Sequence, residues 1–184
     1  LAGRSEQVEI LLIDNGSTDG TRDWLDSLNI PNVQVILNSH NMGKGGSIKK
    51  GIRASQGEYI VIHDPDLEYK AEDIWPLLEK VKQQDAGMGL GSRLLAGKVR
   101  YQYLINYWGV VFLSQCINFL YGAQLTDTAT ALKILHGPLA RKIKWECHGF
   151  DLDFELVVRI LQHGQHIVEV PIQYVPRSVE EGKK

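Results

Sequence analysis

The sequence predicts an α/β fold: a mostly parallel sheet with helices on both faces. Three observations predict it. Short apolar runs rich in β-branched residues alternate with amphipathic helical segments through the first half of the chain. The runs lack polar alternation, as strands covered on both faces do. Clusters of turn and capping residues follow the runs, at the sheet edge where open α/β folds bind ligands.

The elements follow in order. Val8 to Ile13 reads as a buried strand. The stretch Asp14 to Thr21 is dense in turn residues, with Ser17 or Thr18 placed to cap a helix. Arg22 to Leu28 is helical, with Trp24, Leu25 and Leu28 on one face. Val33 to Leu37 is a second strand, and Lys44 to Ser55 a second helix with Ile48 and Ile52 on one side. Glu58 to Ile62 is a third strand. Ala71 to Gln83 is a third helix, carrying Ile74, Leu77, Leu78 and Val81 in helical register. Ala86 to Leu90 is a fourth strand. The second half changes character. Tyr103 to Tyr121 is apolar but holds Asn106, Gln115 and Asn118, which favours a buried or membrane-surface helix over a spanning one. A short strand over Leu132–Leu135, a helix over Leu152–Gln162 and an edge strand over Ile167–Ile172 complete the order. Pro171 is tolerated at an edge.

No linker divides the chain, and 184 residues suit one domain, 1–184, with a real core. A net charge of −2 argues against a nucleic-acid surface, so any basic site is local. Cys116 and Cys147 make neither a disulfide framework nor a zinc set, which fits a reducing cytoplasm. Leu1 to Gln7 is mixed and polar, unlike a secretory signal.

The residues most suited to chemistry are His63-Asp64-Pro65-Asp66-Leu67-Glu68-Tyr69, directly after the third strand. Carboxylates one residue apart point to the same side of an extended chain. At the end of a buried strand they suit a hard divalent cation, which in turn holds a diphosphate. The plain alternative is an acidic turn favouring the next helix N-terminus. Asp14 and Asn15 either shape a strand-to-helix turn or accept hydrogen bonds from a nucleobase or ribose. Asn41-Met42-Gly43-Lys44-Gly45-Gly46 opens a helix without phosphate-loop spacing. Its glycines read as close backbone approach, with Lys44 near a diphosphate as the functional alternative. Arg93 after the fourth strand reads either as a surface salt bridge or, with Lys98 and Arg100 thickening the positive charge, as a site for an anion. Asp127 reads either as a cap or as a contact to sugar hydroxyls. Asp153 and Glu155 lie two apart on a helix, so at most one of them enters a site. Arg177, Lys183 and Lys184 form either a frayed end or a flap over a diphosphate.

Taken in sequence, Ile13-Asp14-Asn15-Gly16-Ser17-Thr18-Asp19-Gly20-Thr21, Asn41-Met42-Gly43-Lys44-Gly45, Asp64-Pro65-Asp66-Leu67-Glu68-Tyr69, Gly91-Ser92-Arg93, Leu125-Thr126-Asp127-Thr128, Gly149-Phe150-Asp151 and Glu169-Val170-Pro171-Ile172, with Arg177 and Glu181-Gly182-Lys183-Lys184, resemble the inverting family 2 glycosyltransferases. The branch most similar is the dolichyl- or polyprenyl-phosphate sugar synthase type. The resemblance implies a GT-A fold, Rossmann-like, with a mostly parallel sheet flanked by helices. Residues 1–93 would form a nucleotide-sugar half and 94–184 an acceptor half. Three departures stand out: the family's first strand is missing, Asn15 replaces an acid, and Pro65 sits between Asp64 and Asp66.

The resemblance further implies a metal-dependent transferase taking a UDP- or GDP-sugar to a lipid phosphate acceptor. Mg²⁺ or Mn²⁺ would be held by Asp64, Asp66 and Glu68. Asp14, Asn15, Lys44, Asp64, Arg177, Lys183 and Lys184 would bind the donor. Asp66, Arg93, Asp127 and Asp153 would carry catalysis, with Arg93 on the acceptor phosphate. A phosphate acceptor needs no strong base; a hydroxyl acceptor would need one, and Asp127 and Asp153 are both candidates. The chain would sit peripherally at the cytoplasmic membrane face. Two rival readings stand beside it: a family 2 transferase acting on a saccharide or other hydroxyl, and a non-catalytic nucleotide-sugar-binding remnant.

Overall fold

The computed structural model of the chain describes residues 7–97 and 104–176. β1 (Ile10–Asp14), α1 (Thr21–Asp26), β2 (Val33–Leu37), α2 (Gly43–Ala54) and β3 (Tyr59–Ile62) follow one another as the alternation predicts. A 3-10 turn over Ala71–Asp73 leads into α3 (Ile74–Gln83), then β4 (Met88–Ser92). The second half supplies α4 (Leu104–Tyr121), β5 (Lys133–His136), α5 (Gly137–Lys142), α6 (Leu152–Gln162) and β6 (Ile167–Pro171). The short helix α5 has no counterpart in the sequence reading; it opens on Gly137-Pro138, where proline is tolerated because a first-turn N–H has no helical partner.

The expected helix-flanked α/β architecture holds, with one strand of the sheet, β5, running against the rest. β1 and β2 pair in parallel, from Ile10 opposite Val33 to Asp14 opposite Leu37. The other four strands run in the order β3-β5-β4-β6. β5 is antiparallel to both β3 and β4, and β6 is parallel to β4. An apolar run carries no direction, so the inversion of β5 left no mark in the pattern. β5 inserts a strand of the second half between two strands of the first. β6 lies at the edge, as Pro171 predicts.

Alternate residues of the four-stranded sheet feed two cores. Leu77, Leu78 and Val81 of α3 pack with Leu132, Ile134, Val168 and Val170 on one face. Leu152, Leu156, Val157 and Ile160 of α6 pack with Ile62, Met88, Leu90 and Leu135 on the other. β4 is buried throughout, as its unbroken apolar and glycine run predicts. β1 departs from the expectation of full cover: Ile10 to Ile13 are only half-buried, and Val61 of β3 is exposed. Among the described residues, no helix is long and apolar enough to cross a membrane.

Candidate active site

The end of β3 carries the acid loop. The Asp64 carboxylate accepts from the Lys44 ammonium at 2.8 Å. Asp66 Oδ1 accepts from the Glu68 backbone N–H at 3.1 Å. Between them Leu67 is 87% exposed and sits at φ 62°. A leucine in the left-handed region costs on the order of 1–2 kcal/mol, so the surroundings impose that turn. Glu68 is buried, and its Oε2 accepts from the Tyr174 hydroxyl at 2.8 Å. The Val175 N–H donates to the Glu68 carbonyl at 3.0 Å, and Tyr69 and Tyr174 form an antiparallel bridge. The segment after β6 is thus laid along the acid loop. Among the described residues, no three His, Cys, Asp or Glu side chains converge as a metal set. The structure therefore does not bring Glu68 together with Asp64 and Asp66, as the expected three-acid set requires; Glu68 ties the loop to Tyr174.

Lys44 stands in the first turn of α2. A Cβ on Gly45 would lie 2.8 Å from the His148 carbonyl carbon and 2.9 Å from the Gly149 oxygen. The Gly46 N–H donates to the His148 carbonyl at 3.1 Å. The glycines therefore serve close backbone approach, and the loop they admit brings Phe150 to Lys44, whose ammonium is 5.7 Å from the ring centre. Burial pulls the Lys44 pKa down, but Asp153 and Asp64 outweigh it and leave it raised.

Behind Lys44 lies a buried pair. Lys133, the first residue of β5, is fully buried. Its ammonium donates to Asp153 Oδ1 at 2.9 Å and to the Thr130 carbonyl. Burial drives the Lys133 pKa below its ordinary value against the pull of Asp153. Asp153 Oδ2 lies 3.6 Å from the Lys44 ammonium. Glu155 turns elsewhere and accepts from the Glu146 and Cys147 N–H groups at 2.9 Å. Of the two acids on this helix, Asp153 is the one that joins the acid loop.

At the end of β4, Arg93 meets Asp127. Arg93 Nε donates to Asp127 Oδ2 at 2.7 Å and Nη2 to Oδ1 at 2.8 Å. The Arg93 guanidinium also lies 5.4 Å from the Tyr174 ring centre. The Asp127 loop is held by Glu169, which accepts from the Thr126 N–H at 2.8 Å and the Asp127 N–H at 3.0 Å. Burial raises the Glu169 pKa against those bonds.

Asp14 and Asn15 are occupied locally. Asp14 is buried and accepts from the Gly16 and Ser17 N–H groups at 3.1 Å. Its pKa is lowered, chiefly by the Ser17 side chain. Asn15 Oδ1 accepts from the Met42 N–H at 2.9 Å, and Asn15 Nδ2 donates to Asn41. The expected cap by Ser17 or Thr18 is not formed; Gly20 takes the N-cap position of α1. Lys98, Arg100, Arg177, Lys183 and Lys184 lie outside the described residues.

Three residues of this site escaped the sequence reading: Lys133, Tyr174 and, as the anchor of Asp127, Glu169. Lys133 did leave a signal. A charge inside Ala131-Leu132-Lys133-Ile134-Leu135 stands where only a paired one is stable. Glu169 stood in a motif of the resemblance, but its role as anchor left no mark, and Tyr174 left none at all, because their partners are far away in sequence.

Comparison with known proteins places the chain. Over 188 residues it is 28% identical to an undecaprenyl-phosphate mannosyltransferase of Micrococcus luteus, covering 95% of this chain and 75% of that protein. It is 27% identical over 183 residues to a dolichyl-phosphate beta-glucosyltransferase of Dictyostelium discoideum, spanning 54% of that protein's length. The fold is shared with glucosyl-3-phosphoglycerate synthase of Mycobacterium tuberculosis, solved with Mn²⁺, UDP and phosphoglyceric acid. That match has a TM-score of 0.67 at 15% identity and covers 94% of this chain and 62% of that one. This is the GT-A-like α/β architecture expected from the sequence motifs. The family model for glycosyl transferase family 2 matches residues 1–139, and the chain belongs to that family.

Proposed function

We propose that this chain forms a single catalytic domain, 1–184, moving a sugar with inversion from a UDP- or GDP-sugar to a polyprenyl or dolichyl phosphate. Residues 1–93 serve the donor and 94–184 the acceptor. The observation that carries the lipid-phosphate reading is the state of the two acids that a hydroxyl acceptor would need as base. Asp127 is gripped by the Arg93 guanidinium, and Asp153 stands between two ammonium groups, of Lys133 and Lys44. Their oxygens are already taken by those donors, so neither acid is placed to serve as the base for a hydroxyl acceptor. A phosphate monoester is already anionic near neutral pH and needs no such base. The named activities of the two relatives support the same acceptor class.

Asp64 and Asp66 provide two hard oxygen donors after a strand, which fits part of the shell of Mg²⁺ or Mn²⁺. The mycobacterial neighbour, solved with Mn²⁺ and UDP, supports the assignment. A cation held there would supply positive charge to the departing diphosphate. The chain's own residues do the rest. Lys44 and, from the tail, Arg177, Lys183 and Lys184 add positive charge around the diphosphate. Asp14 and Asn15 shape the wall for the nucleoside. Arg93, oriented by Asp127, holds the acceptor phosphate for in-line attack on the anomeric carbon. Glu68 fixes the acid loop against Tyr174.

Exposed apolar side chains support a lipid. Leu67, Phe150 and Val175 surround the acid loop, at 87%, 76% and 61% exposure. On α4, which carries no charged residue, Trp108, Phe112, Phe119 and Leu120 are exposed within about 120° of arc, as in helices that lie in a membrane interface. That surface supports peripheral contact with a membrane, and the cytoplasmic face is part of the proposal.

The test is an acceptor competition with the full-length protein, a UDP- or GDP-sugar and Mn²⁺. Transfer to polyprenyl phosphate with no transfer to the free polyprenol or to soluble saccharides is expected. Faster transfer to a hydroxyl would overturn the reading.

A further inference from the structure

Lys133 takes no part in the reaction as derived above, yet its position is costly: an ammonium wholly buried within a sheet persists only when paired and hydrogen-bonded. Its partners give it a direction. Lys133 on β5 holds Asp153 in the first turn of α6; Asp153 faces Lys44 in the first turn of α2; Lys44 holds Asp64 at the end of β3. Four groups of alternating sign form one row, two acids and two bases. It runs from the covered face of the sheet to the acid loop. It joins four elements that no backbone ladder joins as a set.

We propose that Lys133 is a positioning residue for the donor site: by fixing Asp153 it fixes the Lys44 ammonium, and so the place where Lys44 and Asp64 meet the diphosphate. A lysine side chain is a point charge on a flexible four-carbon stem, and it needs an anchor to hold one geometry. Asp64 is one anchor, but it is also a ligand for the donor's cation. Asp153 is the second anchor, and it stays engaged when Asp64 is drawn to the cation. Lys133 makes that possible, because its bonds to Asp153 and to the Thr130 carbonyl prevent Asp153 from turning wholly toward Lys44 or toward solvent. The inference deepens the proposed function and rests on its donor assignment.

Calorimetric titration of the full-length protein with UDP or GDP in the presence of Mn²⁺ reads it. Lys133→Met should weaken nucleotide binding by roughly 10-fold, the scale on which partners of site ligands act. The KM for polyprenyl phosphate should stay unchanged. In a Lys44→Met background, Lys133→Met should add no further loss. Lys133→Met strands a buried carboxylate, so the paired variant Lys133→Met/Asp153→Asn, which strands none, gives the same reading if the single variant fails to fold. A folded paired variant with wild-type nucleotide affinity, or additive losses in the Lys44→Met background, would overturn the inference alone. A wild-type protein that binds neither nucleotide would overturn the donor assignment itself, and the inference with it.

Discussion

Arg93 and Asp127 meet as two forks, with parallel bonds of 2.7 and 2.8 Å, and the Arg93 backbone N–H adds a third bond to the same carboxylate at 3.1 Å. Asp127 is wholly buried and Arg93 nearly so. Such a pair is rigid, and its geometry is beyond the reach of lysine. Removing one member leaves the other charged and uncompensated. Asp127→Ala should therefore lower unfolding stability by about 3–5 kcal/mol in urea titrations. Arg93→Lys, which keeps the charge but loses the fork, should lower kcat/KM for the lipid phosphate and spare nucleotide affinity. Equal losses on both sides would remove Arg93 from the acceptor.

Asp66→Ala should cut transfer by at least about 100-fold, the scale of losing one group that stabilises developing charge. Far-ultraviolet circular dichroism should be unchanged, since Asp66 lies in a loop outside the helices and strands and accepts from the Glu68 N–H there. Chelation of divalent metal from the wild-type protein should give a loss of similar size. Turnover that survives both would remove the cation from the mechanism.

Two glycines in helices should respond with opposite sign. Gly45→Ala drives a Cβ into the His148 and Gly149 backbone, at 2.8 and 2.9 Å, where nothing flexible can yield. Overpacking of that kind costs about 1–3 kcal/mol. Gly109, in α4, has nothing within 4 Å of the same position. Gly109→Ala should stabilise the helix by up to about 1 kcal/mol. Thermal unfolding of both variants beside the wild type checks the pair.

Burial pushes the Tyr69 hydroxyl up from 10.0 to about 12. The unfolded chain releases that proton near pH 10 while the folded chain retains it. The folded state then binds more protons, so stability falls as pH rises from 10 to about 12 and is level above. A two-unit displacement corresponds to about 2–3 kcal/mol. Tyr69→Phe should remove this share of the alkaline loss. At neutral pH it should cost about 1 kcal/mol, because the Ala131 N–H loses its acceptor. Urea titrations at neutral pH and across the alkaline range separate the two effects.

Replacing Trp108, Phe112 and Phe119 together by serine should abolish flotation of the full-length protein with anionic liposomes if α4 is the contact. The three side chains are exposed, so the fold should stand. Undiminished flotation would move the membrane contact elsewhere.

Much of this molecule was legible before its coordinates. Apolar runs located the strands, and the helical register of Leu77, Leu78 and Val81 identified the buried side of α3. The strand-end rule brought Asp64 and Arg93 forward, because ligands gather where strands stop. The Gly43–Gly46 stretch was legible as a packing device rather than a phosphate loop, since its spacing was wrong for one. Direction was not legible: nothing in Leu132–Leu135 says that β5 runs against its neighbours. Nor were the partners of buried polar groups. Glu68 with Tyr174, Glu169 with Thr126, and Lys133 with Asp153 are chosen by three-dimensional proximity, which a one-dimensional pattern does not encode.

The parallel ribbon of β1 and β2 is hydrogen-bonded within itself, in a sheet of two, and its apolar residues are only half-covered. Native-state hydrogen–deuterium exchange should therefore divide the molecule. Amides of Ile10–Asp14 and Val33–Leu37 should exchange through a local opening well below the global unfolding free energy, while those of Met88–Ser92 wait for the whole domain to unfold. The wall assigned to the nucleoside would then be the softest cooperative unit of the enzyme, and slowed exchange there would be an early physical signature of donor binding.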